Sequence, residues 1–146
     1  MDPDEVGEVW SLPLRIFGIG AEPHVHLVQS PFYHTAVLVY VNASVHFGHR
    51  VVLMRGWDGE EALRAIEQHR VTTTHMVPTH FHRILDLPDE VKQRYDVSSM
   101  QYAVHGAAPC PVETKQRMLE LWGPVIYEYY GASEGGGTIA TPEAWL

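Results

Sequence analysis

The densest chemistry in this sequence lies in one stretch, Val125-Ile126-Tyr127-Glu128-Tyr129-Tyr130-Gly131-Ala132-Ser133-Glu134-Gly135-Gly136-Gly137-Thr138. It opens as a short apolar and aromatic run, the pattern of a buried strand. It passes into a loop with four glycines, a hydroxyl at Ser133 and a carboxylate at Glu134. Glycines let backbone N–H groups come close to a ligand. A serine hydroxyl suits a phosphate oxygen, and a carboxylate is a hard ligand for a divalent ion. In an α/β chain such a strand end marks the carboxyl edge of the sheet, where open α/β sheets place their ligands. The stretch is not a P-loop, because no Gly-Lys-Ser/Thr follows, and its spacing is not that of the dinucleotide fingerprint. On its own it equally fits an ordinary loop after a strand.

The elements that must position this stretch follow from periodicity and punctuation. Residues 2–17 read as a helix capped by Asp2, with Pro3 at its first position and Pro13 marking a kink or a break into two pieces. Val6, Val9, Trp10 and Leu14 roughly share one face. Residues 25–28 read as a short strand with His24 and His26 on one side of the pleat. A turn, Ser30-Pro31-Phe32-Tyr33-His34-Thr35, leads into residues 36–47, an apolar segment long enough for a buried helix. Residues 51–54 read as a second buried strand. The clearest helix spans residues 58–70, capped by Asp58 with Glu61 placed as in a capping box. Residues 71–77 form a strand closed by Pro78, followed by short helices at 79–85 and 88–95. Residues 100–104 form a strand ending in the turn His105-Gly106-Ala107-Ala108-Pro109. Pro111 starts a helix with Thr114, Met118 and Leu121 along one face, and Gly123 and Pro124 stop it. Residues 141–146 look like the start of a further element. Strands alternate with helices throughout, which predicts an α/β fold with a parallel sheet flanked by helices. The loops after residues 30, 105 and 131 then leave the sheet at the same edge and share a pocket.

Composition narrows the partners. The chain has 146 residues, 45% hydrophobic, enough for one domain with a real core. Ten basic residues against 18 acidic give a net charge of −8. That argues against nucleic acid and anionic membrane surfaces as main partners. The single Cys110 excludes an intramolecular disulfide and fits a reducing compartment. The acidic N-terminus lacks the pattern of a signal peptide, and no run approaches the ~18 apolar residues of a membrane span. The chain therefore reads as cytoplasmic, with no transmembrane segment. The ten histidines include the pairs His24/His26, His46/His49 and His80/His82. Their spacings could clip a metal, but zinc wants three or four supported ligands, so they read as surface or packed polar residues. Neighbours on a strand point oppositely, so one of Tyr129 and Tyr130 faces the pocket and the other packs the core. Glu128, in an apolar strand, either lines the pocket or needs a structural partner.

Several of these segments resemble a known family. Tyr130-Gly131-Ala132-Ser133-Glu134 is similar to the Tyr-Gly-x-Thr-Glu motif of the adenylate-forming acyl-CoA synthetases. His105-Gly106-Ala107-Ala108-Pro109 resembles the Gly-Ala-Ala-Pro turn of the same family, and Pro31-Phe32-Tyr33-His34 its Pro-Leu-Phe-His segment. Their order matches, as do the strand Thr74-His75-Met76-Val77-Pro78 and the helix after Pro111. The resemblance runs from Gln29 to Thr138 and is closest to the fatty-acid branch. It implies an ATP-dependent ligase that converts a carboxylic acid to acyl-AMP and transfers it to CoA. It places Gly106, Ala107, Ala108 and Pro109 along the adenine. It places Tyr129, Tyr130 and Gly131 around the base and acyl-adenylate, with Glu128 beside them. Ser133 keeps the phosphate-binding hydroxyl of the usual Thr, and Glu134 would hold Mg2+. His34 would sit beside the acyl and adenylate groups, and Val77 and Phe81 near the acyl channel.

The departures from the family pattern matter as much. Its Ser/Thr/Gly-rich phosphate loop with a Lys belongs upstream of His24, where nothing similar stands. Its ribose-binding Asp, hinge and C-terminal domain belong after Thr138. Residues 1–146 therefore read as a partial AMP-binding domain, an internal fragment of the family's large domain that is inactive by itself. The alternative is a truncated non-catalytic nucleotide-binding or interaction module. Either way, uncovered sheet edges would favour self-association.

Overall fold

The computed structural model describes residues 3–131 and 137–145. Its centre is a six-stranded sheet of order β2-β1-β3-β4-β5-β6. The strands are β1 (Val25–Val28), β2 (Arg50–Leu53), β3 (Thr73–Met76), β4 (Tyr102–His105), β5 (Ile126–Gly131) and β6 (Gly137–Ala140). The first five pair in parallel, and β6 returns antiparallel on β5. The α/β class and the mainly parallel sheet agree with the periodicity. The antiparallel edge does not, because the glycine-rich stretch reads as one loop through Thr138. Gly137 pairs with Gly131 and Thr138 with Tyr130. Glycine is depleted in strands, and a hairpin supplies the pairing energy that local preference does not.

Helices cover both faces of this sheet. They are α1 (Pro3–Arg15), α2 (Thr35–His46), α3 (Gly59–His69), α4 (Pro78–Leu85), α5 (Asp89–Lys92) and α6 (Val112–Trp122). One core joins Leu63, Ile66, Phe81, Ile84, Met118 and Trp122 to Leu27, Met76, Ala103 and Ile126 of the strands. The other joins Leu14, Phe17, Ile19, Tyr40 and Ala43 to Val104. Ala103 and Val104 thus serve opposite layers, as strand alternation requires. Asp58 caps α3 by accepting from the Glu61 N–H at 2.8 Å. Glu61 turns its own carboxylate to Arg64, so only half of the capping box forms. Pro78 stands at the first position of α4, where its missing N–H costs no helical bond.

Three expectations need correction. β2 is an edge strand with Arg50 and Leu53 exposed, because it has β1 as its only sheet neighbour among the described residues. Its apolar run reads as buried because a sequence does not show which strand lies outermost. α1 continues through Pro13, and its inward side carries Leu14 while Val9 and Trp10 are exposed. The α2 helix buries Val37, Tyr40, Ala43 and Ser44 but leaves Leu38 and Val45 open. Apolar area is therefore uncovered on the α1–α2 layer. No helix of the described residues is long and apolar enough to cross a membrane.

The central strands are unusually polar, and most of their polar groups are paired, His105 being the exception among the described residues. Thr74 Oγ1 donates to the Leu27 carbonyl at 3.0 Å, and His26 Nδ1 meets Thr73 Oγ1 at 2.9 Å. Gln29 donates from its amide to the His75 carbonyl. His24 meets Thr72 Oγ1 at 2.9 Å through Nδ1. The histidines are mostly packed polar residues, and no metal-holding group of three occurs among the described residues. Burial holds four of them well below 6.5: His26 and His105 at about 3, His75 and His80 at about 4.

These shifts set a pH dependence. A histidine depressed in the fold takes up a proton first in the unfolded chain, so stability falls as pH drops below about 6.5. The loss continues until the folded pKa near 4 or 3 is reached. Each group contributes at most about 1.4 kcal/mol per pH unit within that window. The depressed carboxylates Glu22 and Asp96 lose their contribution only as pH falls below their ordinary values of 4.5 and 3.8, so they do not affect a comparison of pH 7 with pH 5. We expect the urea midpoint to be clearly lower at pH 5 than at pH 7. Equal midpoints would mean that these histidines are solvated in the fold.

Candidate functional site

Parallel pairing delivers the carboxyl ends of β1, β2 and β3, together with the turn after β4, to one cavity. It has a volume of about 740 Å3 and takes its walls from the loops after those strands. Gln29, Pro31 and His34 line it from the β1–α2 loop, Leu53 from the end of β2, and Arg55 and Trp57 from the β2–α3 loop. His75, Val77 and His80 come from β3 and the start of α4, and Ala107 from the turn after β4. His34 and Ala107, expected to share a pocket, do so. His34 lies at the start of α2, exposed, with its ring 4.6 Å from that of Tyr33.

The turn after β4 is shaped by a close approach. A Cβ at Gly106 would stand 2.5 Å from the Tyr129 ring, so only glycine fits beneath that side chain. Ala107 follows with φ +64°, in the left-handed region that non-glycine residues rarely occupy. Such strain gathers where a site needs a particular backbone shape. Ala107, Ala108 and Pro109 are exposed, so the turn offers a flat surface of small residues. That surface suits a nucleobase, and the ring of Tyr130, 66% exposed, stands on the adjacent strand. Tyr129 turns the other way. Its hydroxyl lies 3.2 Å from His75 Nε2, and burial raises its pKa. Tyr40 stacks on His75 at 4.7 Å. The choice between the two tyrosines is thereby made: Tyr129 packs inward and Tyr130 stays open.

Glu128 finds a structural partner. Lys115 Nζ lies 2.5 Å from Glu128 Oε2 and 4.3 Å above the Trp145 ring. Lys115 is wholly buried, so the contact with Glu128 offsets the cost of taking it out of water. His105, fully buried between them and Phe81, has neither ring nitrogen bonded among the described residues. Phe81 lies in the main core with its ring 5.2 Å from His105, whereas Val77 lines the cavity. Gly131 ends β5 opposite Gly137. Ser133 and Glu134 lie outside the described residues. Sequence reasoning missed His75, Tyr40, Arg55, Trp57 and Lys115. The only sign of the first was a polar residue in a strand that must be buried on both faces.

A family model described as AMP-binding enzyme matches residues 7–145. This chain belongs to the AMP-binding enzyme family. Among members, it is 35% identical over 127 residues to a long-chain-fatty-acid–CoA ligase of Bacillus subtilis, covering 86% of this chain and 22% of that protein. It is 33% identical over 115 residues to a 2-succinylbenzoate–CoA ligase of Bacillus pumilus, covering 79% and 22%. An amide bond synthetase from Marinactinospora thermotolerans superposes with a TM-score of 0.80 at 23% identity, covering 93% of this chain and 28% of the other, a likeness of fold. The chain spans about a fifth to a quarter of the length of the curated relatives it matches. Its six-stranded sheet therefore has the fold of a corresponding part of that amide bond synthetase.

The close approach of Gly106 and Tyr129 gives a test of how this AMP-binding chain shapes its turn. Gly106→Ala should push Tyr129 off His75 and cost about 1–3 kcal/mol in stability, the usual cost of overpacking. Pairing it with Tyr129→Ala should recover much of that loss. Full additivity of the two substitutions would show that the contact does not shape the turn.

Proposed function

We propose that this chain forms the acyl side and the adenine wall of the adenylate site in an ATP-dependent acyl-CoA ligase. The acid it activates is a fatty acid or one of similar build. The observation that carries this reading is the meeting of His34, Val77 and Ala107 in one cavity at the sheet's carboxyl edge. The match to CoA ligases over four-fifths or more of the chain supports it.

In this reading, one carboxylate oxygen of the acid attacks the α-phosphorus of ATP. A new O–P bond forms, the bond from the α-phosphorus to the α,β-bridging oxygen breaks, and pyrophosphate leaves with its electrons. The CoA thiol then attacks the acyl carbon, losing its proton, and AMP departs with the C–O electrons. Neither step needs a nucleophilic side chain, so the protein works by positioning and charge stabilisation. The turn Gly106-Ala107-Ala108-Pro109 lies along the adenine, with Tyr130 and Gly131 beside it. Tyr129, fixed by His75, braces that turn from beneath. His34 and Val77 border the acyl group. Glu128 is held by Lys115 and keeps β5 in place beside β4. Ser133 offers its hydroxyl to phosphate. Glu134 would hold Mg2+, which neutralises phosphate charge when bound.

These 146 residues carry part of that machinery. The cradle for the outer phosphates and the cation that meets developing charge belong, in this reading, to other parts of a protein several times longer. Removing a single preorganised donor costs roughly 10²–10³ in rate. We therefore expect no thioester from the chain with ATP, Mg2+, CoA and a panel of fatty acids, followed by mass spectrometry. A non-hydrolysable acyl-adenylate analogue should still bind, with a Kd on the order of 1 mM. Turnover that disappears on Glu134→Gln would overturn the partial-site reading. Failure of the analogue to bind at all would overturn the site itself.

A further inference from the structure

The cavity carries one full charge. Val28, Val37, Leu53 and Val77 give it apolar walls, and His75 and His80 are neutral at pH 7 because burial holds each near 4. Arg55, in the bend after β2, is the only Lys, Arg, Asp or Glu among the described lining residues. Arg15, Arg64, Arg70 and Arg94 are tied into ion pairs; among the described residues Arg55, like Arg50, Arg83 and Arg117, has no carboxylate partner, and of these four Arg55 alone lines the cavity. Two residues on, Trp57 stacks on His80 with rings 4.1 Å apart. Its indole N–H is buried with no partner among the described residues. A charged donor and an unsatisfied neutral donor therefore stand on the same short loop.

We propose that this cavity takes an acid with a second carboxylate at the end remote from the reacting one, and that Arg55 is the residue that selects it. The proposal rests on the reading of the cavity as the acyl site. The reacting end belongs beside Ala107, after β4. Arg55 follows β2, three strand positions away, or about 14 Å at the usual spacing between strands. A substrate reaching across that distance has an apolar middle against valine and leucine and ends at a guanidinium. A methyl end gains nothing from displacing water around an arginine. A carboxylate gains a charge-assisted hydrogen bond there, and the guanidinium fork matches its two oxygens. A lysine would offer only a point charge at that position.

Binding of an α,ω-dicarboxylic acid and of the monocarboxylic acid of equal carbon number tests this on the chain itself. Calorimetry gives the affinities, and the fluorescence of Trp57 reports occupancy by its difference from Trp57→Phe. The diacid should bind about tenfold tighter to the parent chain. Arg55→Gln should abolish that preference while leaving the monoacid affinity unchanged, which also shows that the variant is folded. Equal binding of both acids to the parent, or a preference that survives Arg55→Gln, overturns the proposal and leaves the acyl site standing. Binding of neither acid overturns both. A third arm uses CoA. If Arg55→Gln weakens CoA but not the diacid preference, Arg55 serves a phosphate of CoA and the diacid assignment falls.

Discussion

The structure depends on parallel pairing of the first five strands. Parallel strands need a crossover between each pair, and a right-handed crossover returns the chain to the same starting edge. Every connection that leaves β1, β2, β3 or β4 therefore leaves from one edge. Loops separated by dozens of residues become neighbours with no contact of their own to bring them together. His34 and Ala107 meet this way, each held by the strand before it. The register Met76–His105–Glu128 fixes their depth, because a slip of one residue would reverse every side chain.

That register also distributes the polar groups between two layers. Toward α2, His75 is clasped by Tyr40 and Tyr129, and Tyr129 in turn lies over Gly106. Toward α6, Glu128 meets the buried Lys115. Both clusters sit directly behind the exposed turn of small residues. Each is a buried polar arrangement that would be costly if half satisfied. Their packing holds rigid a turn whose own residues are too small to brace it.

Much of this was legible before any coordinates. The elements from residue 25 to 122 follow from apolar period, caps and prolines, because those signals are local. Asp58 capping α3 and Gly123 closing α6 are examples. The family motifs survive as short strings because their chemistry is backbone shape and a few side chains. What was hidden is what depends on the sheet. An edge position for β2 is a property of strand order, and β6 forms by pairing with β5 against its own glycine content. The helix pattern does not single out Lys115, which only the packing of α6 on the sheet brings to Glu128. His75 and Tyr129 are 54 residues apart, and only the strand order β3-β4-β5 brings them together.

The central claim is that the edge bearing Ala107, His75 and Tyr129 is where an acyl-adenylate lies. The most direct measurement is a nuclear magnetic resonance titration of the labelled chain with a non-hydrolysable acyl-adenylate analogue. The account predicts saturable shifts at Ala107, Ala108, His75 and Tyr129. It predicts none at Asp89 and Arg117, which border a separate hollow beside α5 and α6. Shifts centred on that hollow, with the turn after β4 unmoved, would contradict it.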